Sequence, residues 1–200
     1  MLLPFRPVTA TTDAHNVRPP AATATEPPTR RTVGLHCTCP HGQRLYRKGI
    51  PRDPLPKLCI LDLDGDLTDW LVQTGRATRV AWWPCFHTTM YAMEAEDVTI
   101  GMIARTIGGP YAVLIAEQLA AAGVEWIIGL TSAGRIAVEL PLRCLVVATA
   151  AIRDEGASLR YLPPGKEVAS TGTIPALLVP ELARTGWAVR SGTVWTTDAP

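Results

Sequence analysis

Residues 100–136, IGMIARTIGGPYAVLIAEQLAAAGVEWIIGLTSAGRI, constrain the fold more than any other stretch of the chain. They open on a short apolar run, 100–104, and then reach Gly108-Gly109-Pro110. Glycines permit a tight turn, and a proline in the first helical turn gives up no hydrogen bond that the helix needs. Residues 110–122 are strong helix formers, with Ala112, Ile115, Ala116 and Leu119 on one face and Glu117, Gln118 and Ala121 away from it. Gly123 is the stop. A second apolar run, 126–130, ends in the small loop Thr131-Ser132-Ala133-Gly134. Strand, glycine turn, helix and strand make a βαβ unit, which predicts a parallel sheet. Ligands of such sheets bind at the carboxyl ends of the strands, where this loop belongs.

The rest of the composition suits that reading. Two hundred residues fit one domain with a sizeable core, and 47% hydrophobic against 18% charged is a globular balance. A formal net charge of +1 gives no electrostatic means of capturing nucleic acid or an acidic membrane. The opening MLLPFRPVTA lacks the roughly seven uninterrupted apolar residues of a signal peptide, and no run approaches the roughly 20 of a membrane span. Five scattered cysteines fit a reducing compartment better than a disulfide framework. The expectation is a soluble cytoplasmic protein.

Ten of the 18 prolines fall within the first 56 residues, where no period of 2 or 3.6 survives. Residues 1–50 therefore read as a disordered tail, and 51–200 as the α/β domain. His36-Cys37-Thr38-Cys39-Pro40-His41 in the tail resembles a metal cluster but lacks the distant second ligand pair of a zinc site, so no metal is expected. Residues 57–63 read as a buried strand followed by a turn at Asp64-Gly65-Asp66. Asp62, Asp64 and Asp66 alternate as in a calcium loop, without its glycine at position 6 or its closing glutamate. Residues 68–75 read as a short helix. Residues 82–97, with Trp82, Trp83, Tyr91 and Met93, read as strand pairs enclosing a core or interface His87. Residues 142–151 read as a central strand buried on both faces, running into the charged segment Arg153-Asp154-Glu155, either solvated loop or site. Residues 175–185 are helical in composition around Pro180, and 189–196 read as a further strand. An α/β fold rarely ends just after a strand, so more chain is expected beyond Pro200.

Four pieces, IGGP with its helix, LTSAG at 130–134, RDEGASLRYLPPG at 153–165 and GTVWTTDAP at 192–200, together resemble the nucleoside phosphorylases, in their uridine phosphorylase-like branch. The resemblance covers about residues 50–200. It implies an α/β/α sandwich around a mixed, partly barrel-like sheet, C-terminally incomplete here. It also implies cleavage of a nucleoside's N-glycosidic bond by inorganic phosphate, with no cofactor beyond that co-substrate, in a homo-oligomer (trimer or hexamer). By resemblance Thr131, Ser132 and His87 bind phosphate, His87 reaching a neighbouring protomer's site. Ala133, Gly134, Thr196 and Thr197 lie against the nucleoside, and Gly108, Gly109 and Arg153 form loops. The family's phosphate arginines have no counterparts at matching positions: Leu67 or a neighbour, Thr88 and Gly129 stand there, leaving Arg105, Arg135 or Arg153 as replacements. The family's ribose-holding Met-Glu pair and late acid/base segment fall beyond Pro200 in its order. Hydrolysis on the same scaffold, or non-catalytic nucleoside binding, are the alternatives.

Overall fold

The structure, a computed structural model, describes residues 54–85, 87–170 and 173–198, so the proline-rich tail and its His/Cys cluster lie outside the described residues. The chain divides into two compact units, with described parts 54–134 and 135–198.

The first unit is a five-stranded sheet of β1 (Leu58–Asp62), β2 (Ala77–Arg79), β3 (Met90–Ala95), β4 (Val98–Ala104) and β5 (Trp126–Leu130), in the order β2-β3-β4-β1-β5. Helix α1 (Asp66–Gln73) follows β1, and α2 (Gly109–Ala121) links β4 to β5. The predicted βαβ unit is present, but its two strands are not neighbours: β1 lies between them and pairs in parallel with both. The sheet is mixed rather than wholly parallel, because only Glu96 and Asp97 separate β3 from β4. So short a connection can join only antiparallel strands.

Residues along β1 alternate between two cores. Cys59 and Leu61 pack with Met90, Ile103, Ile115 and Leu119 on one side. Ile60 packs with Leu71, Ala77 and Met102 on the other. A strand covered on both faces reads as an unbroken apolar run, which is why 57–63 was legible. The predicted helix face also forms: Ile115 and Leu119 are fully buried, each contributing about 1.5–3 kcal/mol, and Ala112 and Ala116 are half-buried. Trp82 and Trp83 do not continue a strand. Pro84, without an N–H for a ladder, follows them, and Trp83 instead enters the core and donates its Nε1 to Thr88 Oγ1 at 2.7 Å. His87 is exposed rather than a core residue.

The second unit holds β6 (Cys144–Asp154), β7 (Glu167–Ala169) and β8 (Ala188–Thr197) in the order β7-β6-β8. β6 and β8 are parallel, connected through α3 (Ile174–Ala183), and β7 is antiparallel to β6. β6 is central, as predicted, but it is not buried on both faces: Val147 and Ala150 are buried while Val146 is 38% exposed. The only α-helix described in this unit packs against β6 and β8 and buries none of its own residues. Pro180 sits inside α3 without ending it.

Candidate functional site

Strand register, rather than any one side chain, gathers the first unit's candidate residues. Asp62 at the end of β1 is level with Ala104 on β4 and with Leu130 on β5. Antiparallel β3 begins beside them, with Met90 level with Ile103. Residues 62–66, 105–109, 131–134 and 87–89 therefore all leave the sheet at one edge. With neighbouring strands about 4.8 Å apart, Ala104 and Leu130 flank Asp62 across about 10 Å. His87, Gly108, Gly109, Thr131, Ser132, Ala133 and Gly134 all stand on segments leaving at this edge.

The edge is held by hydrogen bonds to acids. Asp62, 2% exposed, accepts from the Gly65 N–H at 3.1 Å, the Thr68 N–H at 2.8 Å and the Thr68 hydroxyl at 2.8 Å. One carboxylate thus fixes the turn and the first turn of α1. Gly65 adopts φ +94°, and a Cβ there would sit 3.0 Å from Arg105 Cγ, so glycine is required both for the turn and for the approach of the arginine. Arg105 is itself left-handed at φ +60°, and its N–H donates to the Asp62 carbonyl at 2.8 Å. Its guanidinium pairs with Asp69 of α1. The two side chains are 58% and 43% exposed, so the pair is worth at most about 1 kcal/mol and opens readily.

Asp64 points the other way and accepts a hydrogen bond from the Ser132 N–H, joining the β1 and β5 loops. The Thr131 hydroxyl donates to the Ser132 carbonyl at 3.0 Å. The Thr106 hydroxyl is buried with no hydrogen-bond partner among the described residues. The Tyr111 hydroxyl, in the first turn of α2, donates to the His87 carbonyl at 3.3 Å; burial, with Cys85 adding to it, raises its pKa and keeps it a donor. Gly108 caps α2 at φ +95°, which lets the helix begin directly after this edge. Guanidinium, backbone N–H and hydroxyl donors clustered at the carboxyl ends of parallel strands can bind an anion.

Residues 62–200 match the family model described as the phosphorylase superfamily, which is more than half of the chain. The chain belongs to this superfamily. It is 28% identical over 141 residues to the protein named uridine phosphorylase from Thermococcus kodakarensis, covering 70% of this chain and 46% of that one. The chain thus spans about half the length of that curated relative. Among solved structures it resembles uridine phosphorylase from Vibrio fischeri ES114, at TM-score 0.63 and 21% identity over 72% of this chain and 60% of that one. A second structure of that protein, complexed with 6-hydroxy-1-naphthoic acid, gives TM-score 0.65 at 21% identity over 78% and 67%. These likenesses show the nucleoside phosphorylase fold, a mixed α/β architecture, that the four sequence pieces imply.

The second unit carries the phosphorylase pieces at 153–165 and 192–200. Arg153 is consumed by its own loop: Nε donates to Ser158 Oγ at 3.0 Å, and the two terminal nitrogens donate to the carbonyls of Pro163 (2.6 Å), Ser158 (2.9 Å) and Leu162 (3.2 Å). Glu155 is held below the usual carboxylate range chiefly by hydrogen bonding with the Ser158 side chain, and its carboxylate also accepts from the Ser158 N–H at 3.0 Å. Thr196 and Thr197 end β8, level with Arg153 and Asp154 of β6. Asp198 follows and accepts from the Gly156 N–H at 2.7 Å. Arg135 donates to the Leu140 carbonyl at 2.9 Å. Sequence reasoning missed Asp69 altogether and could not choose among the three arginines. The choice depends on β1 lying beside β4, which no local pattern encodes. Among the described residues, no group of three or more His, Cys, Asp or Glu could hold a metal ion, and no helix is long and apolar enough to cross a membrane.

Proposed function

We propose that this chain cleaves the N-glycosidic bond of a nucleoside with inorganic phosphate, giving free base and (deoxy)ribose 1-phosphate. A phosphate oxygen forms the new bond to C1′, the bond from C1′ to the base nitrogen breaks, and its electron pair leaves with the base, which takes up a proton. Positive charge builds on the ribose as the base departs, so an anion held beneath it stabilises the transition state. What supports the reading is the pinned edge of the first unit, where the Thr131 hydroxyl and the Ser132 N–H stand beside the Asp64 turn. Its kinship with proteins named uridine phosphorylase points the same way. In this reading Thr131 and Ser132 hold phosphate, Ala133 and Gly134 let the sugar approach, and Thr196 and Thr197 contact the nucleoside. The protein works in the cytoplasm as a trimer or hexamer in which His87, exposed, reaches a neighbour's phosphate, and phosphate is its only co-substrate.

One observation favours a second reading. The Ser132 N–H is occupied by the Asp64 carboxylate, an acceptor that could take a proton from attacking water and so favour hydrolysis. Uridine, thymidine, inosine and adenosine incubated with and without phosphate separate the two. Base release that requires phosphate and yields the sugar 1-phosphate is the expected result. Release without phosphate moves the assignment to a nucleosidase, and no release from any substrate leaves a nucleoside-binding relative.

A further inference from the structure

The three replacement arginines differ in what already holds them. Arg153 spends its donors on four bonds within its own loop, and Arg135 is tied to the Leu140 carbonyl. Arg105 stands at the edge shared with Ser132, over the notch that Gly65 leaves, with its guanidinium on an exposed pair to Asp69. The two strongest anion donors placed at this edge, the Arg105 guanidinium and the Ser132 N–H, are thus each covered by a carboxylate of the β1–α1 segment.

We infer that Arg105 is the guanidinium that binds the substrate phosphate, and that Asp69 occupies it until phosphate displaces the carboxylate. The inference rests on the phosphorolytic reading and names a residue for it. A planar guanidinium offers two parallel N–H groups to two phosphate oxygens, as it does to a carboxylate, so phosphate can replace Asp69 without a change of geometry at the arginine. Exposure of both partners keeps the resident pair weak, so exchange is not blocked. The left-handed backbone of Arg105 and the missing side chain at Gly65 bring the guanidinium over the end of β1 rather than away from the sheet. Asp69 is then a competitor: it holds the arginine in place and sets how much phosphate is needed to free it.

The test is titration calorimetry of the full chain with inorganic phosphate at fixed ionic strength, on wild type, Arg105→Gln, Asp69→Asn and the double variant. Binding is read directly, so the result does not depend on turnover. Losing a charge-assisted contact weakens phosphate binding by about tenfold or more in Arg105→Gln. Asp69→Asn tightens it several-fold, and that gain vanishes in the double variant, a coupling that a merely structural role would not produce. Circular dichroism verifies that each variant is folded, and Arg105→Lys, a point charge without the fork, falls between wild type and Arg105→Gln. Wild-type affinity in Arg105→Gln, or a gain from Asp69→Asn that survives without Arg105, overturns the inference and leaves phosphorolysis standing. No phosphate binding by the wild type overturns both, whereas base release without phosphate sinks the phosphorolytic reading and with it phosphate's role as substrate, and the Arg105 and Asp69 titrations then decide only whether this pair holds the anion.

Discussion

Asp62 and Asp64 are two residues apart and have opposite roles. The first is buried and accepts three hydrogen bonds from the turn and first helical residues behind it; the second is exposed and reaches the Ser132 N–H on another strand's loop. Asp62→Ala strands the buried Thr68 hydroxyl and two N–H groups, so urea unfolding should show a loss of about 3 kcal/mol. Asp64→Ala removes one exposed acceptor and should cost less than about 1 kcal/mol. Equal losses in the two variants would mean that burial is not what separates these acids. Gly65→Ala meets both a left-handed backbone and Arg105 Cγ, so it should destabilise by about 1–2 kcal/mol in the same assay. The alternation of acids was visible in the sequence, and its calcium-like look came from spacing alone. Which acid turns inward is set by where β1 ends: Asp62 is its last residue, on the face of Ile60 that packs against the core containing Leu71 of α1, whereas Asp64 and Asp66 lie beyond the strand and are exposed.

At the scale of elements, β4, α2 and β5 were legible because each carries its own period and punctuation, and all three fall within two residues of where the pattern puts them. The insertion of β1 between β4 and β5 was not, since pairing between distant strands leaves no local trace. The same limit hid the candidate site: the 131–134 loop is visible in the sequence, but its neighbours Arg105 and Asp64 become neighbours only through that pairing. β6 erred the other way, because an apolar run reports what a strand could bury and not what covers it. β1 offers a pH test of its own burial. Cys59 is fully buried, and desolvation pushes its thiol up to about 12. Above the ordinary thiol value of about 8.5 the unfolded chain loses this proton while the folded chain keeps it, so stability falls as pH rises from there toward 12. The stability difference between wild type and Cys59→Ala, followed by urea unfolding, should therefore shrink between about pH 8 and pH 11. A difference that stays constant over that range would mean the thiol ionises in the folded protein as it does in the unfolded chain.

At the scale of the molecule, the chain presents two carboxyl edges of parallel strands, one in each unit. The first carries the Thr131–Ser132 loop and Arg105; the second carries Thr196 and Thr197 at the end of β8, above a loop that Arg153 holds shut. In the proposed reaction Thr131 and Ser132 hold phosphate, while Ala133, Gly134, Thr196 and Thr197 contact the nucleoside. That division has a measurable consequence, because groups that bind different substrates act independently unless they share partners. Thr196→Val and Thr197→Val remove hydroxyls without changing side-chain shape much, so they should weaken nucleoside binding several-fold, the loss of about 1 kcal/mol for a neutral hydrogen bond, and leave phosphate affinity unchanged. Ser132→Pro, which deletes the N–H itself, should weaken phosphate and leave a nucleoside titrated without phosphate largely unaffected. Both are read by calorimetry on the same protein. If the threonine variants lose phosphate affinity, or the Ser132 variant loses nucleoside affinity to the same degree, Ser132 and the two threonines of β8 do not serve separate substrates. Sedimentation completes the picture, since the trimer or hexamer predicts a mass three or six times the 21.5 kDa chain. A chain that sediments at its own mass yet binds phosphate would show that His87 of a neighbour is not needed to hold the anion.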